Sequence, residues 1–351
     1  SSRSIKVQGP SEVVLTPGEE ASVDFLITLE PQFDSYHSQE AYSFVNLINQ
    51  DGYKVGKVTI FSVLNPLSRI TSGPLDVFAS SADDEQGAMV KLSLENRSHR
   101  PGQALLFNLI GLDDRKDGLG PLKSVTNFCD LESAGYRITE GEGGEKFLQL
   151  GFKFYGSSTN NHHCEVSLLM DGTGEGKPTQ ELVGTIGSSL SSRLRGVGFK
   201  SILVDAMKMK ELRRKYDSGG WWDFSKAIVS LSPYDFFSHS SVGVLNVPVA
   251  HLKTDKHGQV RIKVVSLMKW DSRGEGDDFL EGHESRWTSI DLQDEGASYF
   301  HLPRVVNFKP HETVDVHFVK GRGKAPLVAY FPYNQTSLTI HHKDKQSGIV
   351  A

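Results

Sequence analysis

The sequence predicts an all-β protein built from two tandem jelly-roll (β-sandwich) domains with few short helices. Apolar runs of five to nine residues recur along the 351-residue chain, and they either alternate with polar residues or are rich in β-branched and aromatic side chains. Thirty-four glycines and fourteen prolines separate many of these runs, as turn residues do. The chain is longer than the ~100–200 residues of a usual domain, so two domains are expected.

The predicted strands follow one another with turns between them. Turn residues are explicit at 49–52, 72–74, 100–102 and 256–258. One helix is predicted over 205–216, because this segment is rich in Met, Lys, Leu, Glu and Arg and stops before Ser218-Gly219-Gly220. The predicted strands are 22–29, 56–63, 88–94, 104–112, 147–155, 166–170, 227–231, 242–249, 260–268, 314–319 and 327–331.

A boundary between the two domains is predicted at 170–178, where glycine and proline cluster without apolar periodicity. The domains would then be 1–178 and 179–351, each of a size that suits an eight-stranded jelly roll. Gly102-Gln103 and Gly258-Gln259 each open an apolar strand that ends in Asp-x-Arg. This echo suggests an internal duplication, although two β-rich segments also produce such matches by chance.

The charge is distributed unevenly over the two halves. Residues 1–178 hold 15 Lys and Arg against 24 Asp and Glu, whereas the remainder holds 23 against 19. The second half therefore either faces a polyanion or differs by chance. No apolar run approaches the ~18 residues of a membrane span, and the first residues lack the apolar core of a signal peptide. Two cysteines, Cys129 and Cys164, favour a reducing compartment.

No motif in the sequence points to catalysis. His162-His163-Cys164-Glu165 contains three types of metal ligand, but adjacent residues on an extended chain point to opposite faces and do not grip one ion. His-x-His and Gly-x-Ser-x-Gly are both missing, as are the glycine patterns of nucleotide-binding loops. The sequence therefore predicts a protein that is not an enzyme and has no metal, cofactor or small-molecule substrate.

A basic segment in the second half is the candidate nucleic-acid site. Its cations are opposed only by Asp205 and Glu211, and two tryptophans follow it. Cations with adjacent aromatics neutralise phosphates and stack on unpaired bases. The alternative is a surface helix with a solvated basic face and a tryptophan pair anchored in the core. The predicted RNA-facing residues are Arg193, Arg195, Lys200, Lys208, Lys210, Arg213, Arg214, Lys215, Trp221 and Trp222.

Two aromatic segments are candidate subunit interfaces. Exposed aromatic residues in loops become buried when subunits meet, and such residues are enriched at interfaces. Ordinary core packing is the alternative for each of them. The predicted interface residues are Tyr234, Phe236, Phe237, Phe331 and Tyr333.

Asp113-Asp114-Arg115 and Asp271-Ser272-Arg273 each follow an apolar strand directly. They are either turn residues, with Asp accepting backbone hydrogen bonds, or part of a functional signature. A strand-terminal Asp-x-Arg resembles the signature of the thirty-kilodalton superfamily of plant virus movement proteins, in which a Gly-led strand comes earlier, as Gly243 precedes Asp271 here. This resemblance implies an alternative function, the binding of single-stranded nucleic acid.

Two jelly-roll-sized β domains, no enzyme motif and a start without an initiator Met together resemble the large coat protein of comoviruses and related picorna-like plant viruses. In that family one polyprotein-derived chain carries two jelly rolls and a small coat protein supplies a third. The resemblance implies a structural subunit of an icosahedral shell around a single-stranded RNA genome, in the virion and the host cytoplasm. The implied partners are copies of this chain, a smaller coat protein and genomic RNA, with no membrane contact.

A secreted double β-sandwich that binds a partner is a further alternative. Two glycosylation sequons occur, at Asn96-Arg97-Ser98 and Asn334-Gln335-Thr336. A secreted protein would carry glycan at one of them and a secretion signal in its precursor.

Overall fold

The computed structural model describes residues 5–29, 39–64, 67–77, 88–114, 130–158, 164–186, 199–217, 224–237, 240–268, 278–279, 287–293, 297–321, 325–333 and 340–342. These residues form antiparallel strands and one α-helix, α1 (Ala206–Asp217), which confirms the all-β class. Every predicted strand overlaps a strand of the structure, and the predicted helix coincides with α1 within one residue at each end.

The strands are named here in chain order. The first eleven are β1 (Ile5–Gln8), β2 (Leu26–Leu29), β3 (Gln39–Ile48), β4 (Lys54–Leu64), β5 (Ile70–Val77), β6 (Ala88–Asn96), β7 (Gly102–Leu112), β8 (Leu131–Glu140), β9 (Lys146–Ser158), β10 (Cys164–Asp171) and β11 (Gln180–Ile186). The others are β12 (Phe199–Asp205), β13 (Ile228–Phe236), β14 (Ser240–Pro248), β15 (Gln259–Met268), β16 (Asp278–Phe279), β17 (Thr288–Asp291), β18 (Tyr299–Phe300), β19 (Val306–Phe308), β20 (Thr313–Lys320), β21 (Leu327–Tyr330) and β22 (Ile340–His342).

The largest sheet is bent into two layers by β13, which we call the corner strand. Residues 228–233 of β13 pair with β12, and residues 234–236 pair with β14. Pro233 stands at the switch, where strands that pass from one sheet to another commonly bend. Sheet A has the order β13-β14-β9-β8-β7-β21-β22, and sheet B has the order β16-β15-β10-β11-β12-β13.

Sheets A and B face each other across one hydrophobic core. Leu150 and Leu245 from sheet A share this core with Leu168, Leu203 and Ile262 from sheet B, all nearly inaccessible to solvent. A Cβ atom added at Gly184 of sheet B would lie 2.6 Å from the Leu245 side chain, so the two layers meet closely. Period-two alternation along these strands places their apolar side chains in this interlayer space.

A second core lies between β7, β19 and β21 and a four-stranded sheet with the order β18-β20-β6-β5, which we call sheet C. Leu92 and Leu94 of β6 alternate with outward residues and pack with Leu106 of β7 and Phe308 of β19. Sheets B and C therefore cover neighbouring parts of sheet A. Burial of these apolar side chains stabilises the layered arrangement by roughly 1.5–3 kcal/mol each.

The predicted boundary at 170–178 is a tight turn between β10 and β11. The Asp171 carboxylate accepts hydrogen bonds from the backbone N–H groups of Thr173, Gly174 and Gly176 at 2.7–2.9 Å. Two glycines of this segment adopt the positive φ that such a turn requires, 80° at Gly174 and 78° at Gly176. The cluster of Gly and Pro thus shapes the turn of the β10–β11 hairpin.

Strands from both sides of residue 178 share sheets. β6 pairs with β20, β7 with β21, β9 with β14, and β10 with β15. Both hydrophobic cores accordingly contain side chains from both segments. The predicted segments 1–178 and 179–351 are therefore not two separate sheet systems.

Two small sheets involve the first part of the chain. β1 pairs with β2, and β3 pairs with β4 in a hairpin whose predicted turn is confirmed. The Asn49 side-chain oxygen accepts a hydrogen bond from the Tyr53 N–H at 2.8 Å, and Gly52 has a φ of 84°. Among the described strands, neither β3 nor β4 has a second partner.

Asp205 caps the N-terminus of α1. Its Oδ1 accepts hydrogen bonds from the backbone N–H groups of Met207 and Lys208 at 3.0 Å, and its Oδ2 lies 2.9 Å from Lys253 Nζ. Burial alone would raise the pKa of this carboxyl, but the Lys208 hydrogen bond and the Lys253 ion pair outweigh burial and lower the pKa. The side chain thus fixes where the helix begins.

Replacement of Asp205 by Ala is expected to lower the free energy of unfolding by about 1–2 kcal/mol, because two helix N–H groups lose their acceptor. Asp205→Asn keeps an acceptor oxygen and should lose less. Since the folded pKa is lowered, the charge contribution of Asp205 is present above the unfolded pKa of ~4 and is lost as pH falls through the folded value. Urea denaturation at pH 7 and at acidic pH measures both effects. Equal losses for the Ala and Asn variants at pH 7 would contradict the capping role.

Candidate nucleic-acid and assembly surfaces

Helix α1 is held on the outer face of sheet B by its apolar side. Met209 and Leu212 pack against Ile202, Val204 and Ala227, which lie beneath the helix. Residues three apart share one face of a helix, so the remaining positions are turned to solvent. The packing of two apolar residues therefore decides which way the charged residues point.

The solvent face of α1 is basic. Five cations on the helix are exposed, and Glu211 pairs with one of them, Lys215, at 2.7 Å. Lys200 lies on β12 two residues before Ile202, so it is on the same face of the strand as the residues beneath the helix. The cations brought to this side of sheet B are Lys200, Lys208, Lys210, Arg213, Arg214 and Lys215.

The basic surface can attract phosphates through charge and carries no base-reading geometry of its own. Four of the predicted RNA-facing residues, Arg193, Arg195, Trp221 and Trp222, lie outside the residues that the structure describes. The predicted combination of cations with stacking tryptophans therefore stays a prediction. The described part of the site is a cationic helix on a β-sheet.

Four of the five aromatic residues predicted as a subunit interface are buried inside the chain. Tyr234, Phe237, Phe331 and Tyr333 are only 6–8% exposed. Tyr234 lies near the bend of the corner strand and packs with Phe152 between sheets A and B, while Phe237 contacts Tyr333 edge to face at 6.4 Å. The backbone of Phe236 pairs with Gly243, and its side chain is not among those described. The four described side chains are core residues and offer no exposed interface.

An exposed apolar surface lies instead on the β3–β4 hairpin. Tyr42 is 71% exposed and Phe61 60%, and Phe44, Ile48 and Tyr53 are exposed as well. The segment that contains β1 and β2 also exposes large apolar residues, Val13, Val14, Leu15, Leu26 and Ile27. The sequence did carry a signal: apolar residues occupy both parities of 39–48, so β3 presents apolar side chains on both of its faces. This surface was missing from the predicted site.

A buried arginine lies on the face of sheet A that is turned away from sheets B and C, and it holds three chain segments together. Arg137 is 2% exposed, and it donates hydrogen bonds to the Gln149 side chain at 2.7 Å and to the carbonyl oxygens of Leu106, Pro303 and Arg304 at 3.1, 2.6 and 2.6 Å. Its guanidinium carbon lies 4.3 Å from the centre of the Phe107 ring. Burial lowers the pKa of Arg137 to about 9, so the side chain stays protonated at neutral pH.

A cavity of about 390 Å³ borders Arg137, and Leu105, Phe237, Val244 and Val305 give it an apolar lining. Asp235 and Arg304 stand at the same cavity and pair at 3.5 Å. The Arg137 donors are directed at backbone carbonyls and Gln149, so this group fixes loops onto the sheet. This geometry makes Arg137 and its hydrogen-bond partners a structural element of the fold.

The His, Cys, Asp and Glu side chains of the described residues are dispersed. Within these ranges, no three His, Cys, Asp or Glu side chains gather where they could share a metal ion. Cys164 is buried, and His162 and His163 lie outside the described residues. In the same ranges no helix combines the length and apolar composition needed to cross a bilayer.

Asp113 and Asn96 have local structural roles. The Asp113 N–H donates to the Glu132 carbonyl at 2.9 Å, and its own carbonyl accepts from the Tyr155 hydroxyl at 2.6 Å, as expected for a residue that ends a strand. Asn96 is fully buried, and its side-chain nitrogen donates to the carbonyls of Arg100 and Lys309. In this fold that nitrogen is therefore not accessible to a glycan. Asp271 and Asn334 lie outside the described residues.

A functional assignment for this protein rests on the surfaces described above. No family model matches the sequence, and the comparisons with curated proteins and with solved structures found no match either.

Proposed function

We propose that this protein is a viral coat protein, a structural subunit that assembles with copies of itself and a smaller companion protein into an icosahedral shell around single-stranded RNA. The observation that carries the proposal is the exposed apolar surface of the β3–β4 hairpin. Soluble monomers rarely expose contiguous apolar surface of this kind, and its presence marks a protein interaction site. In this proposal, the layered sheets serve as jelly-roll building blocks of the shell.

The hairpin is suited to making contacts between subunits. A two-stranded hairpin is marginally stable by itself in water, and its unpaired edges are templates for another chain. β3 and β4 are ten and eleven residues long, so both the edges and the faces are extensive. Contact with a neighbour would remove Tyr42 and Phe61 from water and stabilise the hairpin. In a closed shell many such contacts add up, so each one can be weak.

The layered body is suited to transmitting these contacts without deforming. Two cores fix sheet A to sheets B and C, and Arg137 ties the segment at 303–304 to β7, β8 and β9. A rigid subunit retains its interfaces in register when it meets neighbours. The described architecture thus supports an assembly role.

The basic surface supports contact with the genome. The whole chain has a formal net charge of −5, so attraction to a polyanion has to come from a local concentration of cations. Helix α1 provides such a concentration on an exposed face. In the proposed shell this face is turned to the interior.

A movement protein of the thirty-kilodalton type is the second candidate, and the exposed cations of α1 favour it equally. Such a protein would coat single strands cooperatively, with a strong dependence on salt, and would not form closed shells. The secreted sandwich has less support, because Asn96, one of its two sequon asparagines, is buried, while Asn334 lies outside the described residues.

The proposal is tested by the assembly state of the full chain. Size-exclusion chromatography with light scattering, followed by negative-stain imaging, should show closed particles of uniform diameter. A variant with Tyr42→Thr and Phe61→Thr, which retains residues favoured in strands, is expected to remain folded by circular dichroism and to lose the particles.

The wild-type measurement is made alone and after co-expression with a candidate small coat protein. A monomer at every concentration, both alone and with the companion, would rule out the coat function. Filaments on single-stranded RNA without closed particles would favour the movement protein.

A further inference from the structure

We infer that one face of the β3–β4 hairpin binds the same face of a second copy of this chain about a twofold axis. The inference rests on the proposed function in one respect, namely that the partner is another coat subunit. We call this face the aromatic face. It consists of Glu40, Tyr42, Phe44 and Asn46 on β3 and Lys57, Thr59, Phe61 and Val63 on β4, which the strand register places side by side.

The aromatic face is the more exposed side of the hairpin among the described residues. Tyr42 pairs in register with Phe61, and its ring contacts Phe44 edge to face at 6.1 Å. The opposite face is covered in part, since Ala41 is buried and Val45 and Ile60 are half-buried. Successive strand residues point to opposite faces, so these two environments belong to the two sides of one ribbon. A partner would therefore meet the aromatic side.

The charges of the hairpin make its aromatic face complementary to itself. Glu40 and Lys57 lie on this face, and Asp51 and Lys54 complete the charged residues of 39–64, so the hairpin has no net charge. Two copies then meet without overall repulsion. The Lys57 ammonium lies 3.3 Å from the centre of the Phe44 ring, which places it against the aromatic cluster.

A twofold axis in the plane of the contact and across the strands reverses the strand direction of the second copy. Residues two apart on a strand are separated by ~6.8 Å, so Glu40 and the row of Asn46 and Lys57 lie ~20 Å apart at opposite ends of the aromatic face. The axis brings Glu40 of one copy opposite the row of Asn46 and Lys57 of the other, with Lys57 on the neighbouring strand. The symmetry makes this ion pair twice, on either side of a centre formed by Tyr42, Phe44 and Phe61. An apolar centre with a charged rim is the usual anatomy of a protein interface.

Charge reversal tests this pairing in the full chain. Glu40→Lys and Lys57→Glu each place like charges together at two symmetric positions, and each is expected to weaken self-association by about tenfold or more in sedimentation velocity. The double variant restores opposite charges and should associate within about threefold of the wild type. Lys146→Glu is the charge-matched control, because Lys146 is exposed at the start of β9, outside the hairpin; it should leave association unchanged.

The outcomes separate this inference from the coat function. The pairing is wrong if the single variants associate as the wild type does, or if the double variant is as weak as the single ones. Either result in a protein that still forms closed particles overturns only the twofold contact. A wild type that stays monomeric at all concentrations overturns both.

Discussion

Replacement of Arg137 by Met is expected to lower the free energy of unfolding by about 3–5 kcal/mol. The methionine would fill part of the space, but the Gln149 oxygen and the carbonyls of Leu106, Pro303 and Arg304 would lose their donor inside the protein. Each buried polar group left without a partner costs about 1–3 kcal/mol. The contact with the Phe107 ring is weakened as well, because a thioether carries no charge.

Two companion variants show whether the loss comes from the guanidinium fork. Arg137→Lys retains the charge but not the planar array of donors, so its stability should fall between those of the wild type and the Met variant. Arg304→Met removes an exposed arginine whose ion pair with Asp235 is 3.5 Å long, and it should change the free energy by less than ~1 kcal/mol. Guanidinium denaturation measures all three. A Met variant within ~1 kcal/mol of the wild type would mean that the loop at 303–304 does not depend on Arg137.

Sequence patterning predicted the strands whose apolar residues either alternate with polar ones or form a continuous run. β8 was missed because its inner positions include small residues and Arg137 lies in its middle. Gly135 is required there, since a Cβ atom would lie 2.7 Å from Phe107 Cβ. Such a strand is shaped by its neighbours across the sheet, and no local pattern contains that information.

The pairing of strands from distant parts of the chain was not predictable from local patterning. β6 pairs with β20 over more than two hundred residues of sequence, and nothing in 88–96 specifies that partner. The segment at 170–178 shows the related difficulty. Glycine, proline and aspartate are favoured both in linkers and in tight turns, so composition does not separate the two.

The exposed cations of α1 were predicted correctly from the sequence. The exposure of the aromatic residues was not, because the four that are described are buried. A helix with five cations must turn them to water, so the sequence placed α1 correctly. Tyr234 follows a proline, which is typical of a loop, but the bend at Pro233 buries Tyr234 between two sheets. The exposure of Tyr42 and Phe61 follows from the lack of a described neighbour against their face, which local sequence does not encode.

Simultaneous reversal of Arg213, Arg214 and Lys215 to Glu is expected to reduce the affinity for a single-stranded RNA oligonucleotide by about a hundredfold at 0.1 M salt. All three side chains are exposed on α1, and their reversal adds repulsion where three phosphate contacts are lost. The slope of log affinity against log salt should fall by about 2, since single strands release ~0.7 counterion per contact. Fluorescence anisotropy over a range of salt concentrations measures both, and the fraction of RNA-filled particles should fall in parallel.

The matched control is a triple variant with Lys146, Lys256 and Lys309 changed to Glu, which alters the net charge of the chain by the same amount. These lysines are exposed at three separate places, at the start of β9, in the turn before β15 and after β19. Because exposed charges more than ~10 Å apart are screened at 0.1 M salt, scattered reversals should weaken binding much less than clustered ones. Equal losses of RNA affinity in the two triple variants would show that binding follows net charge, and α1 would then not be the RNA surface. If the helix variant binds and packages RNA as the wild type does, RNA is not a partner of this face. That result would leave the hairpin contact between subunits unaffected.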